Sequence, residues 1–395
     1  MGRKLGVLFI GSAGAIATTV IAGVLAIRRG LAPTTGMVTE SEEMMGLDLV
    51  TLDNIYFGGW EIRNTRLSDA ARQHGIVPLD VLESVQDELL EIPCYSGVTT
   101  NVDDFTKRVL GVVAGQKVSL RSAVKNLESD IKDFRERLGL DQVTVVNVSS
   151  TEVPATLEVC HWSLEELINA IEIDHPGISP SMIYTYAALN SGCSFINFTA
   201  STCAELPALR ELAREKGVPI AGKDGKTGQT LYKTVLAPMF RARNLKLNGW
   251  YSTNILGNSD GAVLSDKIHA NTKIESKRGV LRDILGYDIE HIVRIDYYRP
   301  RGDNKEAWDS IDFEGWLGRS MSMKINWQGS DSALAAPLIV DLARLVEFST
   351  FKGEVGELTY LSLFFKSPYG SKNEISHDFF KQQEVLVNHL FSEQK

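Results

Sequence analysis

From Leu5 to Ile27 the chain runs 23 residues without a charge, directly after Arg3-Lys4. Such a run is long enough to cross a bilayer, and its basic lead-in resembles a secretion signal. Yet Gly6, Gly11, Gly14 and Gly23, with Ser12, Thr18 and Thr19, keep it only weakly apolar. Leu5–Ile10 reads instead as a buried parallel strand entering the turn Gly11-Ser12-Ala13-Gly14, followed by an apolar helix reaching about Arg29. Strand, glycine turn and helix in that order open a dinucleotide-binding fold, where glycines let the backbone approach a pyrophosphate resting on the helix N-terminus. The G-x-G-x-x-G spacing is imperfect: Ala13 and Ile16 stand where the second and third glycines belong, while G-x-x-G-x-x-A fits through Gly11, Gly14 and Ala17. Gly11, Ser12, Ala13, Gly14, Ala15 and Ile16 are the expected cofactor contacts here.

The segments that follow keep the same rhythm. Val50–Phe57 reads as a second strand that ends in Gly58-Gly59-Trp60-Glu61. An acidic residue at that point takes ribose hydroxyls and repels a 2′-phosphate, favouring NAD over NADP; the alternative for Glu61 is a surface glutamate after a turn. Ser119–Leu138 is a charged amphipathic helix. Gln142–Val148 is a strand running out into Ser149, Ser150 and Thr151, polar residues at a strand's carboxyl end, where open α/β sheets place ligands. Helices at Leu164–Ile173, Pro180–Leu189 and Ala204–Lys216 alternate with strands at Ser194–Asn197 and Val218–Gly222. That alternation predicts an α/β fold with a Rossmann-type doubly wound parallel sheet. After about Thr230 the rhythm changes, with strands at Leu247–Leu256, His291–Tyr298 and Ser322–Trp327 and few helices between them. Asp331 then starts a long apolar helix. The expected organisation is a dinucleotide-binding domain of residues 1–230 plus 334–395, with an inserted α+β domain of residues 231–333.

At 395 residues, 44% apolar and 23% charged, the chain is large enough for two such domains with sizeable cores. A formal net charge of −9 argues against a nucleic-acid-tracking surface and requires any anion to be met by a local positive site. The four cysteines, Cys94, Cys160, Cys193 and Cys203, have no paired or metal-ligand spacing and fit a reducing, cytoplasmic compartment.

The stretch from Gly222 to Lys277 carries the chemistry. Thr227-Gly228-Gln229-Thr230 leads into an apolar run at helical spacing, offering free backbone N–H groups and a positive dipole end to an anion. Asn254 to Gly261 packs amides, a hydroxyl and a carboxylate around two glycines in turn-forming order. Lys273 and Lys277 sit four apart, where two lysines repel on an exposed helix by roughly 0.2–0.5 kcal/mol; they read either as a solvated basic face or as an anion site. Lys305 lies in a loop after a strand. Lys366, at the polar end of an apolar strand, also reads as a snorkelling end-cap, and Asp331 as a plain helix N-cap.

The succession K-x-G-K-[ST]-G-Q-T, N-x-x-G-N-x-D-G and [ST]-K-x-x-S-K resembles the myo-inositol-phosphate synthases, over most of the chain and most closely from Gly222 to Lys305. It departs from the family in the glycine loop and at Ser259, which stands for the second asparagine of G-N-N-D-G. The resemblance implies NAD-driven cyclisation of glucose 6-phosphate: oxidation at carbon 5, enolisation, aldol attack of carbon 6 on carbon 1, and return of the hydride. It implies that Lys273, Lys277, Lys305, Lys366, Asp260 and Asp224 are catalytic. Thr227, Gly228, Gln229 and Thr230 would hold phosphate, and Asn254, Asn258 and Asp331 sugar hydroxyls. Glu61, Ser149, Ser150, Thr151, Asp224 and Ser259 would touch the cofactor. It further implies a homotetramer and leaves a monovalent or divalent cation unassigned to any residue. Two other functions stay open: a plain NAD-dependent dehydrogenase of a sugar phosphate or polyol, and a nucleotide-binding regulator without catalysis.

Overall fold

The structure is a computed structural model that describes residues 2–112, 118–264, 280–371 and 375–392, and of Ser259 and Asp260 the backbone alone. Lys273 and Lys277 lie outside the described residues. The uncharged N-terminal run forms β1 (Leu5–Ile10) and helix α1 (Ala15–Arg28), both largely buried. β1 is flanked by β2 (Ile55–Glu61) and β4 (Gln142–Asn147), and β3 (Cys94–Ser96) extends the edge beyond β2. Beyond β4 come β5 (Ser194–Asn197), β6 (Pro219–Gly222) and β11 (Gly356–Glu357), giving seven parallel strands in the order β11-β6-β5-β4-β1-β2-β3. The register sets Ile10 beside both Trp60 and Asn147, so Gly11, Glu61 and Ser149 emerge together at the carboxyl edge. Strand order reverses there, the place where open α/β sheets bind ligands.

Helices cover both faces of the sheet. Continuing from α1, α2 (Leu120–Leu138), α3 (Leu164–Glu172), α4 (Pro180–Asn190) and α5 (Pro207–Glu215) bury apolar stripes on one face. On the other, α1 packs with two later helices, α7 (Asp331–Phe351) and α8 (Phe379–Phe391), labelled here after α6 (Gly228–Ala242). Chain segments from both ends therefore build the one sheet. The middle builds a second one, β10-β9-β7-β8, from β7 (Lys246–Leu256), β8 (Glu290–Tyr297), β9 (Asn304–Glu314) and β10 (Ser320–Ser330), whose inner face packs on α6.

Three elements differ from the sequence expectation. β2 begins at Ile55, because Leu52–Asn54 is a 3₁₀ turn, and Gly58-Gly59-Trp60 belong to the strand. Gly59 is required by a close approach: a Cβ there would sit 2.3 Å from the Phe9 carbonyl oxygen and 2.8 Å from the Ser12 side chain. Lys305 is on strand β9, not in a loop; in its register Lys305, Ala307, Asp309 and Ile311 alternate onto the inner face while Asn304, Glu306, Trp308 and Asp312 face out. The run before Lys366 is a 3₁₀ helix (Thr359–Phe364), a short apolar segment of the kind whose type periodicity cannot decide.

Candidate active site

Two adjoining spaces lie over the carboxyl edge. The larger is a cleft of about 450 Å³ whose floor includes Gly11, Gly14, Ala15 and Ile16. Gly14 is the N-cap of α1 and no side chain caps that helix, so its first-turn amides face the cleft, the arrangement that receives a pyrophosphate. Gly11 has φ +84°, and a Cβ on it would stand 3.3 Å from Ser149 Cα, closing the cradle. Ser12 and Ala13 are fully buried beneath it and do not line it: Ser12 Oγ lies 3.3 Å from Cys94 Sγ, and the Ala13 N–H donates to Glu61 Oε2 at 3.0 Å. These features fit a dinucleotide.

Glu61 is at the cleft, but its carboxylate is already engaged. Besides Ala13 it accepts from the Ile62 and Arg63 amides and from both Arg63 Nε and Nη2, each near 2.9–3.0 Å. Burial pushes this carboxyl up, but the Arg63 guanidinium and the backbone donors outweigh it and hold it below the usual range. Glu61 thus fixes the glycine loop, and Arg63 neutralises it at the wall of the cleft. Ser149, Ser150 and Thr151 line the cleft; Ser149 Oγ and N–H both donate to Asn147 Oδ1. Asn258 also lines the cleft rather than the smaller space, its amide occupied in donating to Asp303 and capping the Gly261 N–H. Ser259 and Asp260 open the short helix Ser259–Val263 by their backbone.

The smaller space, a chamber of about 30 Å³, lies between the start of α6, the inner face of the second sheet and the start of α7. Thr227, Gln229, Thr230, Asn254, Lys305, Asp331 and Lys366 surround it. Gly228, at φ +58°, has no room for a side chain: a Cβ would lie 2.8 Å from the Trp327 ring. Lys305 Nζ pairs with Asp331 Oδ1 at 3.1 Å, and Thr227 Oγ1 reaches the same oxygen at 3.4 Å. Ser330, not Asp331, is the N-cap of α7; Asp331 begins the helix with its carboxylate at the chamber. Lys366 Nζ donates to Asp224 Oδ1 at 2.7 Å, both groups nearly excluded from water. Asp331 borders both spaces, and Asp224, which borders the large cleft, is paired with the chamber's Lys366, so a carboxylate–lysine pair joins cleft to chamber at each of these two points. Thr230 Oγ1 and Asn254 Oδ1 are buried without a hydrogen-bond partner among the described residues. Two such atoms facing one polar chamber mark a place for a ligand's own hydrogen-bonding groups.

Several residues that hold this arrangement were not singled out from the sequence. Asp303 accepts from the Ser332 amide and hydroxyl and from Asn258, tying the α7 start to the asparagine loop. Lys226, next to Thr227, turns away from the chamber to Gln382 of α8. Asp309 takes Trp250 Nε1 and Ser252 Oγ on one oxygen and Gln229 on the other. Each has its partners tens of residues away in the chain. Among the described residues Glu158, Cys160 and His175 are near enough to consider as metal ligands. However, His175 Nδ1 accepts the Gly177 N–H, which leaves the proton on Nε2 facing Glu158, so this ring has no lone pair for a metal.

Comparison with known proteins follows the same lines. The family profile described as Myo-inositol-1-phosphate synthase, with an NAD-binding designation, matches residues 5–390. Inositol-3-phosphate synthase 1 of Bacteroides thetaiotaomicron is 41% identical, covering 98% of this chain and 95% of its own. The inositol-3-phosphate synthase of Drosophila melanogaster is 30% identical over 98% of this chain and 77% of its own. The crystal structure of inositol-3-phosphate synthase from Caenorhabditis elegans shares the fold with a TM-score of 0.90 at 23% identity, covering 99% of this chain and 86% of that one. A myo-inositol-1-phosphate synthase-related protein from Thermotoga maritima does so at 0.81 and 24%, covering 98% of both chains.

Proposed function

This chain belongs to the myo-inositol-1-phosphate synthase family, and from that premise we propose how its own residues carry out the synthase reaction. It is an NAD-binding isomerase with the activity of an inositol-3-phosphate synthase, converting glucose 6-phosphate to myo-inositol 3-phosphate. The observation that carries the assignment of roles is the chamber itself. Two lysines and two unpartnered buried oxygens adjoin the dinucleotide cleft through Asp224 and Asp331.

NAD, when bound, would supply the hydride acceptor for carbon 5 of the sugar and the hydride donor for the final reduction. The first-turn amides of α1 and Ser149 to Thr151 would hold it in the cleft. Thr227, Gly228, Gln229 and Thr230 receive the phosphate through backbone N–H groups and the Thr230 hydroxyl, with Lys305 and Lys277 supplying positive charge. Lys273 exchanges the proton of the carbon-5 hydroxyl as the hydride leaves and returns. Enolisation and aldol closure each place negative charge on an oxygen, and Lys366 with Lys277 stabilises it; an ammonium held ready for a developing oxyanion costs little reorganisation. Asp224 orients the Lys366 ammonium, while Asn254, Asp260 and Asp331 take sugar hydroxyls. A homotetramer joined through the outer face of the second sheet, in the cytoplasm, completes the proposal.

The test is Lys366→Ala. It is expected to bind NAD within about threefold of wild type while losing roughly 10³-fold or more in inositol phosphate formation, the scale seen when one oxyanion donor is removed. Near-normal turnover in that variant would overturn the assignment of Lys366.

A further inference from the structure

Gln229 is buried against the second sheet, with its amide nitrogen surrounded by oxygens. Nε2 lies 3.0 Å from the Thr253 carbonyl, 3.0 Å from Asp309 Oδ2 and 3.5 Å from the Trp308 carbonyl. Asp309 is an acceptor at both of its oxygens, since Trp250 Nε1 (2.8 Å) and Ser252 Oγ (2.6 Å) donate to Oδ1. Turning the Gln229 amide over would set its oxygen against three acceptors, so its orientation is fixed by chemistry. Oε1 must then face Asn254, whose Nδ2 donates to it. That in turn leaves Asn254 Oδ1 as the atom on the chamber side, buried and unpartnered among the described residues.

We propose that Asp309 is a positioning residue that sets the polarity of Asn254 through Gln229, so that the chamber presents a hydrogen-bond acceptor to one substrate hydroxyl. This rests on the chamber being the sugar-phosphate site. An acceptor there repels phosphate oxygens and rewards an O–H that donates. Asp309→Asn removes the constraint on Gln229. Its oxygen can keep Trp250 and Ser252, which turns its NH₂ toward the Gln229 NH₂. A turned-over Gln229 would meet that NH₂ with its oxygen but would still face the Thr253 and Trp308 carbonyls, so neither orientation of Gln229 is fixed and the Asn254 acceptor is no longer held toward the chamber.

A fluorine in place of a hydroxyl keeps the size but cannot donate. The experiment measures kcat/KM of the full-length enzyme with NAD for glucose 6-phosphate and its 2-, 3- and 4-deoxyfluoro analogues, scoring inositol phosphate. Comparing variants with wild type cancels the electronic effect of fluorine. Asn254→Ala identifies the position read by Asn254 as the one whose discrimination falls. At that position, Asp309→Asn is expected to lower the preference for hydroxyl over fluorine by about tenfold or more, leaving the other two ratios unchanged. Gln229→Met, which breaks the chain one step later and leaves Asp309 in place, should do the same and decides the matter if Asp309→Asn does not fold. The proposal is overturned if these variants keep the wild-type ratios, change all positions alike, or change a position other than that of Asn254→Ala. Absence of inositol phosphate from unmodified glucose 6-phosphate with wild type would instead overturn the reading of the chamber.

Discussion

At Gly11 a side chain would meet two obstacles, a φ of +84° and Ser149 Cα only 3.3 Å from the position of a Cβ. The left-handed backbone alone costs an L-residue roughly 1–2 kcal/mol, and the intruding methyl would push on the polar loop after β4. Gly11→Ala is therefore expected to weaken NAD binding about tenfold or more, measured by titration of the purified protein; an unchanged dissociation constant would contradict the cradle described for the loop. Gly11 and Gly14 were legible in the sequence because a strand, a tight turn and a helix leave a local pattern. Glu61 was legible as a strand-end carboxylate, but its role was not. Its hydrogen bond to Ala13 joins residues 48 apart, and only the parallel register of β1 and β2 brings them together. Asp309 had no local signal at all. It looks like one more outward charge on an alternating strand until β7 is laid beside β9 and Ser252 is found opposite it.

Helix α8 reaches the loop that leads into α6 through a buried lysine. Lys226 Nζ donates to Gln382 and lies 5.8 Å from the Phe379 ring centroid, and burial pushes its ammonium down to about 7. In the unfolded chain a lysine titrates near its ordinary value of about 10.4. Between pH 7 and that value the unfolded state holds a proton that the folded state lacks, so this residue's contribution to stability rises with pH; below 7 both states are protonated and its cost is full. The difference in unfolding free energy between wild type and Lys226→Met is thus expected to be flat below pH 7. Above it, the difference should rise toward wild type by up to about 1.4 kcal/mol per pH unit. Urea unfolding from pH 6 to 9.5 measures this, and parallel curves across that range would contradict it. Lys226 sits inside the recognised K-x-G-K-T-G-Q-T run, yet the sequence offers no hint that its side chain leaves the chamber for α8. The partner, Gln382, is 156 residues away. β9 was missed for a related reason: its inner face carries Lys305 and Asp309 among Ala307 and Ile311, so the alternation reads as polar throughout.

On the scale of the molecule, the two sheets share one functional edge, because α6 and α7 cross from the dinucleotide layer to the second sheet and start at the chamber. Among the described residues the outer face of that second sheet is uncovered, with Trp308 43% and Ile292 38% exposed and the Tyr251 ring tilted against Trp308 at 5.4 Å. If this face joins the proposed tetramer, Trp308→Glu with Ile292→Glu is expected to shift the sedimenting species toward smaller forms than wild type; an unchanged species would contradict a contact through this face. Among the described residues no helix is long and apolar enough to cross a membrane, and α1, the apolar helix after β1, is packed into the core instead. The alternation of strands and helices made the large sheet legible, while the inserted sheet showed only three of its four strands. The most direct test of the whole account is to incubate the purified protein with glucose 6-phosphate and a catalytic amount of NAD, following inositol phosphate and NADH absorbance together. Inositol phosphate in many-fold excess over NAD, with no net NADH, is the expected result. NADH accumulating in step with substrate loss, and no inositol phosphate, would contradict it.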